Sequence, residues 1–599
     1  MNTSEATIPA MVAARVAAHG ADTILRRKER GIWRPITWAA LGARVRAIAS
    51  ALAADGLQRG EIAGILSEAT PDWIAADLAI QSLGAASVGL YPTDGGAVVA
   101  ETLRDSGCAV LFVEGEEQLD KVLRLRADCP ALRRIVILDM KGLRDFADPM
   151  CEGIDSLIAR GEAAERADPA AWARGVAAIA PDDLAVLAYT SGTTGRARGV
   201  MLSHRNVMAQ VIGAAAMTGQ GPQDERLAFL PMCHVTERVL GLYQSLHCRT
   251  ISNIVENAET VPENLAEVRP TVMIAIPRVW QKFYAGIAVA TEGATWLQKS
   301  LYNAAFALAA RGVDAQLAGQ SPGGGALGAV ADWLVLRRVR AAVGLDRLRV
   351  AWVGGAPVSP ALLRWYRCIG INLREVYGLT ECGGLATATP ADHLVHGSAG
   401  AAVAHGEIAL SPDGEILVRG THVSTGFWRD EAATNAALAD GWLRTGDLGQ
   451  ISGGLLNLTG RTSEVLTLAD GSSTSPSAIE NELTLSPFIA DALVLPQGSG
   501  LAALVMVEYD TLEKWAQDSN VSFTGFASLL AAPEVAALIG AAVDQANARA
   551  PAGRRIARFR IIDRNLAPED PELTPMMKLR RAVVLERFQP LIDEMNRAA

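Results

Sequence analysis

The sequence predicts an α/β protein, with a large layered N-terminal domain followed by a smaller α+β domain. Three observations predict it. Short apolar runs alternate with amphipathic helical patterns through the first part of the chain, the signature of a layered domain with a largely parallel sheet. Two later apolar runs end in glycine-bearing turns, G-G-A-P at Gly354–Pro357 and Y-G-L-T-E at Tyr377–Glu381, and open α/β sheets bind nucleotides at such strand ends. The chain of 599 residues is also longer than one hydrophobic core organises.

The elements follow in order. Leu41, Val45, Ile48, Ala49 and Leu52 share one helical face, with Thr37 as cap and Gly56 as stop. Residues 62–66 read as a strand. Thr70-Pro71 opens a second helix that Gly84 ends. A strand at 86–90, a helix at 98–106 and a strand at 109–113 continue the alternation. The apolar residues 184–187 lead into Y-T-S-G-T-T-G-R-A-R-G at Tyr189–Gly199, residues 200–202 lead out, and Ser203 caps a helix running to about Met217. Residues 285–343 read as helices interrupted by the glycine cluster 321–325. Strand-like runs at 349–353 and 372–376 enter the two glycine turns. Alternation around Pro412-Asp413-Gly414 marks a β-hairpin within 405–419. Beyond Arg461 come strands at 465–468, 489–495 and 501–507, helices near 477–485 and 535–548, and a last strand. E-L-T-P-M-M-K-L-R-R at Glu572–Arg581 closes the pattern.

Composition narrows the function. Hydrophobic residues make up 50% and charged ones 20%, a globular balance. The net charge of −10 argues against a general nucleic-acid binder. Seven scattered cysteines, an odd count with no C-x-x-C, argue against a disulfide framework or zinc site and fit a reducing cytosol. The N-terminus lacks a signal pattern, and no apolar run reaches the ~18 residues of a spanning helix.

The 189–199 loop carries the clearest chemistry. Gly192, Gly195 and Gly199 permit tight turning and close approach to a ligand. Successive backbone N–H groups make an anion nest. Thr190, Ser191, Thr193 and Thr194 add hydroxyls, and Arg196 and Arg198 bring positive charge. The loop suits a polyphosphate, yet it is not the G-x-x-x-x-G-K-[ST] P-loop. Of the other candidates, Tyr377 offers a flat face for adenine, Thr380 a phosphate hydrogen bond, Glu381 a hard oxygen ligand for Mg²⁺, and Asp447 of T-G-D two oxygens for ribose hydroxyls.

Together these motifs resemble the adenylate-forming (AMP-binding) enzymes, from Thr37 to about Met595. W-I-A-A-D-L-A near Trp73, H-V-T-E-R at His234–Arg238 and P-R-V-W-Q-K at Pro277–Lys282 look like the bacterial long-chain fatty acid–CoA ligases. The resemblance implies an N-terminal adenylation domain over 1–460, with a small β-subdomain near 400–460, and a mobile C-terminal domain over 461–599. It implies ATP and CoA as co-substrates, Mg²⁺ as cofactor at Glu381, and a fatty acid activated through an acyl-adenylate. Thr190–Gly195, Arg198, Gly354, Gly355, Ala356, Pro357, Tyr377, Gly378, Thr380, Asp447 and Arg461 would bind nucleotide. Lys578, Thr193, Glu381 and His234 would act in catalysis, His234 at the mouth of the acyl pocket. That pocket is expected near His234, Gly241 and Gly355, with Trp280 either its wall or a core aromatic. Peripheral membrane contact and a homodimer stay open.

Three departures bear on this reading. Arg198 replaces the usual lysine, after Ala197 in place of proline, and the two cations bond differently. Ser463 stands at the hinge. Asp470 stands where the family has a thiol-path glycine, a change worth ~1–3 kcal/mol against CoA transfer. Transfer to a carrier protein, or a weakened nucleotide-binding homologue, are therefore the alternatives.

Overall fold

The computed structural model describes residues 5–191, 197–321, 325–391, 397–468, 471, 473–497, 500–550, 554–567, 570–574 and 578–597. A seven-stranded sheet runs in the spatial order Cys151–Gly153, Arg134–Ile137, Val110–Val113, Ile62–Leu66, Ala86–Leu90, Leu184–Ser191 and Ala197–Ser203. Its pairings are parallel except the last, an antiparallel hairpin that holds Tyr189 opposite Gly199. Ile62–Leu66 and Ala86–Leu90 are buried along their whole length, as continuous apolar strands with both faces covered should be.

The helix starts follow the caps. Thr37 Oγ1 accepts from Ala40 N at 3.2 Å before the helix Trp38–Ala54, and Thr70 Oγ1 accepts from Trp73 N at 3.0 Å before Pro71–Ser82. Ser203 and Asn206 form a reciprocal capping box at the helix His204–Thr218.

A second sheet pairs Val272–Ala275, Val350–Val353 and Leu373–Tyr377 in parallel, then adds two short antiparallel strands. A third contains the hairpin Thr23–Glu29 and Ile32–Thr37 beside Ile251–Ile254 and Glu225–Ala228. The β-hairpin expected at 405–419 is Gly406–Leu410 with Glu415–Gly420, part of a sheet with Trp442–Ser452 and Leu455–Arg461.

After Arg461 the chain builds its own sheet from Ile489–Gln497, Gly500–Val507 and Ile556–Ile561. A separate core forms on one face around Leu483, Val505, Leu512 and Ile539, and another on the other face around Leu504, Val584 and Met595. All seven cysteines are free. Among the described residues no helix is long and apolar enough to cross a membrane.

Candidate active site

The C-terminal strand ends converge on a cleft of about 870 Å³. One wall is the 189–199 hairpin, where Tyr189, Thr190, Ala197 and Arg198 face the cleft. Gly192, Thr193, Thr194 and Gly195 lie outside the described residues, as does the side chain of Ser191. Arg198 sits 3.6 Å from the Asp430 carboxylate and over the Phe427 ring at 5.9 Å.

The second sheet supplies the floor. Gly354 and Gly355 follow Val350–Val353, and Gly378, Leu379, Thr380 and Glu381 follow Leu373–Tyr377. Gly355 has φ +82°, a region side chains disfavour, and its carbonyl faces the cleft. A Cβ on Gly378 would meet the Gly384 carbonyl carbon at 2.5 Å, so only glycine brings these two turns together. Ala356 and Pro357 follow, half-buried.

Lys578 arrives from the C-terminal unit. Its Nζ donates to Gly355 O at 2.9 Å, and Thr574 and Lys578 brace each other through backbone and hydroxyl bonds of 2.8 and 3.1 Å. Burial holds the Lys578 pKa at about 8, because a low-dielectric site disfavours the ammonium. Glu381 is raised, mainly by burial, and is without an ion pair among the described residues.

Asp447 lies in the strand Trp442–Ser452 rather than at an exposed turn, and it is buried. Its Oδ1 accepts from Arg461 Nε at 2.6 Å and its Oδ2 from the Tyr377 hydroxyl at 2.9 Å. Each carboxylate oxygen keeps a further lone pair for a ligand hydroxyl. The Tyr377 ring itself is buried beside Cys382 and Leu443, so in this arrangement it orients Asp447.

His234 opens a π-helical turn, Thr236–Tyr243. Its Nδ1 accepts from Thr236 N at 3.2 Å, which leaves Nε2–H as the ring's donor. Burial, then the charge of Lys578, lowers its pKa to about 4, so the ring is neutral at pH 7. Glu237 pairs with the buried Arg226, and Arg238 with Asp77, Ser87 and the Tyr243 hydroxyl. Arg238 also lies over the Trp73 ring at 5.1 Å. These interior anchors fix the turn whose Val235, Thr236 and Leu240 line the cleft. Gly241, expected near the pocket, instead faces the Arg226–Glu237 pair, where a Cβ would come within 2.8 Å of both. Trp280 is fully buried, donates to Trp352 O at 3.2 Å, and stacks edge-on to Tyr366, so it belongs to the core.

Sequence reasoning missed Arg580 and Asp94. Both line the cleft, and the Arg580 charge acts on Asp94, whose pKa burial raises to about 6. The available signal was adjacency, since Asp94 follows L-Y-P-T and Arg580 stands two residues beyond Lys578.

The model for AMP-binding enzymes matches residues 12–428, and that for the AMP-binding enzyme C-terminal domain matches 463–599. The chain is 34% identical to the long-chain-fatty-acid–CoA ligase FadD15 of Mycobacterium tuberculosis, covering 97% of this chain and 96% of that one. It is 26% identical to the peroxisomal long chain acyl-CoA synthetase 7 of Arabidopsis thaliana, over 94% and 81%. Among solved structures, the anthranilate CoA ligase AuaEII with anthranoyl-AMP superposes with TM-score 0.73 at 17% identity, covering 98% of each chain. The adenylation domain of a carboxylate reductase from Mycobacterium chelonae gives 0.75 at 20%, over 99% and 92%. These two share the fold.

Proposed function

The chain belongs to the AMP-binding enzyme family, and from that premise we propose that it is a long-chain fatty acid–CoA ligase working through an acyl-adenylate. The observation that carries this reading is the delivery of Lys578 to Gly355 O at 2.9 Å, inside a cleft that also gathers His234, Thr380 and Glu381. The chain-length assignment draws on FadD15 and the Arabidopsis synthetase, the similar chains named above.

In this mechanism the substrate carboxylate attacks the α-phosphate of ATP, the bond to the β-phosphate bridging oxygen breaks, and pyrophosphate leaves. No protein nucleophile is required. The hairpin residues with Thr190 and Arg198 hold the β- and γ-phosphates. Asp447, oriented by Tyr377 and Arg461, accepts the ribose hydroxyls. Lys578 offsets charge developing on the α-phosphate, the kind of preorganised stabilisation that contributes most in a water-poor site. His234 offers Nε2–H to the acid without adding charge. The residues fit Mg²⁺, because Glu381 is a cleft carboxylate with no ion pair among the described residues and Mg²⁺ favours few carboxylates plus phosphates. When bound there the ion supplies charge neutralisation to the phosphates.

We place the domain boundary at Gly460–Arg461. The proposed hinge is Arg461–Ser463, at the start of the 3₁₀ turn Thr462–Glu464, about which the 461–599 domain rotates to withdraw Lys578 and admit CoA. The thiol then attacks the adenylate carbonyl and AMP leaves. Asp470 lies outside the described residues.

A rapid-quench assay with labelled ATP, acids from acetate to oleate, and CoA added or withheld tests this. Pyrophosphate and adenylate from a long-chain acid, then thioester on adding CoA, are the expected products. Adenylate that ignores CoA would instead assign transfer to a carrier protein. ATP binding with no adenylate from any acid would leave a non-catalytic nucleotide binder.

A further inference from the structure

The adenylation steps leave two charged side chains of the cleft unused. Asp94 and Arg580 both line it, Asp94 from the N-terminal domain and Arg580 from the C-terminal unit. Among the described residues neither carries an ion pair, and Arg580 Nε is buried without a partner. The Arg580 charge nevertheless acts on the Asp94 carboxylate, so the two stand within electrostatic reach of each other between the units.

Arg580 is carried rigidly. Leu573 and Leu579 pair as a β-bridge, Arg580 N donates to Glu572 O at 2.7 Å, and Thr574 N donates to Lys578 O at 2.8 Å. The buried Glu572 anchors this foot through Arg564 and Arg587 at 2.6 and 3.2 Å. Side chains alternate along such a segment. Leu579 packs on the core around Leu504 and Val584, and Arg581 donates to Val494 O at 2.6 Å and pairs with Glu480. Lys578 and Arg580 therefore face the cleft together, about 7 Å apart along the segment.

Asp94 is equally fixed. It follows the strand Ala86–Leu90, and its N–H donates to Tyr91 O at 3.0 Å. Lys121 Nζ donates to Pro92 O at 2.7 Å and to Asp94 O at 3.0 Å.

One contact, Lys578 on Gly355 O, leaves the segment able to pivot about it. A second contact on the same face fixes its direction. We infer that Arg580 and Asp94 form an electrostatic seat that orients the Lys578 segment for adenylation, with Arg580 as a positioning residue and Asp94 as its counter-charge on the N-terminal domain. The inference deepens the adenylate-forming reading above and rests on it. Withdrawing Lys578 withdraws Arg580 with it, so the seat belongs to this pose alone. A phosphate group is the competing partner for Arg580, but a carboxylate within reach of the same guanidinium sets like charge against phosphate oxygens.

The seat is sensitive to protons. Burial raises the Asp94 pKa to about 6, against the lowering charges of Arg580 and Lys121. Tyr91 and Cys233 also face Asp94, and burial pushes both well up, so neither ionises in this range. Asp94 is anionic above pH 6, and the seat is lost as pH falls through about 6.

Spin labels at Asp413→Cys and Glu534→Cys, exposed positions on the two units, test this in a Cys151→Ser background, since the other native cysteines are buried. Pulsed electron paramagnetic resonance with ATP reads the seated fraction, and single-turnover pyrophosphate release reads its use. D94N and R580Q should each lower both about fivefold, whereas R580K should stay within about twofold of wild type. D94N/R580Q should be no slower than either single variant, the mark of one shared interaction, and the swap D94R/R580D should recover part of the loss. Wild type should lose seated fraction as pH falls through about 6, and D94N should show no such step. Single effects that multiply, or a swap worse than both singles, would overturn the seat. So would R580Q weakening pyrophosphate binding tenfold while D94N leaves it intact, because Arg580 then binds phosphate. An enzyme that makes no adenylate from any acid sinks the ligase reading alone, since the label distances need only ATP.

Discussion

The helix Pro277–Glu292 holds the C-terminal unit in the pose that delivers Lys578, and loosening that grip should slow one half-reaction only. Arg278, Gln281 and Lys282 share a face by spacing. Arg278 lies 3.6 Å and Lys282 3.4 Å from the Glu508 carboxylate, and Gln281 Nε2 donates to Thr484 Oγ1 at 2.9 Å. Ser359 Oγ adds a bond of 2.7 Å to Glu482. Glu508→Gln removes two ion pairs and leaves the rest.

Two unit charges ~3.5 Å apart interact by about 1 kcal/mol in bulk water and about 5 at the effective dielectric of a protein surface. The Lys282 side chain is 59% exposed, so screening and side-chain entropy bring each pair toward the ~0.2–1 kcal/mol measured for exposed pairs. The sum, about 0.4–2 kcal/mol, shifts the ratio of docked to undocked poses about two- to thirtyfold. From a ratio near one, a tenfold shift cuts the docked fraction about fivefold. Single-turnover pyrophosphate release should slow by about that factor. Acyl transfer to CoA from supplied acyl-adenylate should hold its rate or rise, and the charge swap R278E/K282E with E508K should recover part of the loss. Equal slowing of both half-reactions would mark a general folding defect, and no change in either would remove this helix from the conformational mechanism.

Other outcomes follow from single groups. In the proposed mechanism Lys578 acts as a cation, and burial holds its pKa at about 8, so kcat/KM for ATP should fall as pH rises through about 8. K578R, charged throughout, should remove that alkaline limb from whatever activity survives. Asp77→Ala strands the Arg238 guanidinium, 1% exposed, in the interior. Breaking a buried pair from one side costs about 3–5 kcal/mol, which urea unfolding would register, and adenylation by the folded fraction should slow as well, since the pair anchors the turn behind Val235, Thr236 and Leu240. Gly378→Ala drives a Cβ to 2.5 Å from the Gly384 carbonyl carbon. The floor must then open, and ATP binding by isothermal calorimetry should weaken at least tenfold.

What the sequence made legible was whatever is local. Ile62–Leu66 and Ala86–Leu90 are unbroken apolar runs, and Thr37, Thr70 and Ser203 mark helix starts with side chains that bond within three residues. Glycine turns after strands pointed to the cleft. The antiparallel hairpin Thr23–Glu29 and Ile32–Thr37 was not legible, because its charged residues find partners far along the chain, Arg26 on Glu225 and Lys28 on Glu267. The helix Pro277–Glu292 shows the same limit. Its P-R-V-W-Q-K segment suggested an acyl tunnel, but the tunnel candidate Trp280 packs into the core while its neighbours grip residues over 200 positions away. No local pattern states which partner a surface arginine will meet.

The H-V-T-E-R segment shows why local and distant constraints meet at the site. A buried ion pair rarely stabilises a fold better than apolar side chains would, yet this segment carries two, Glu237 with Arg226 and Arg238 with Asp77. Both pull inward from a π-helical turn, a geometry that concentrates at functional sites, and Gly241 is small where the Arg226–Glu237 pair passes. Apolar replacements would fill the same volume but would not fix rotation about the turn's axis, since dispersion contacts are nondirectional. Charged pairs with fixed donors do fix it. On the opposite face of that turn the side chains facing the cleft are His234, Val235, Thr236 and Leu240. The segment's interior charges are thus best understood as register pins for its cleft face, and their rigidity holds a neutral histidine near Lys578.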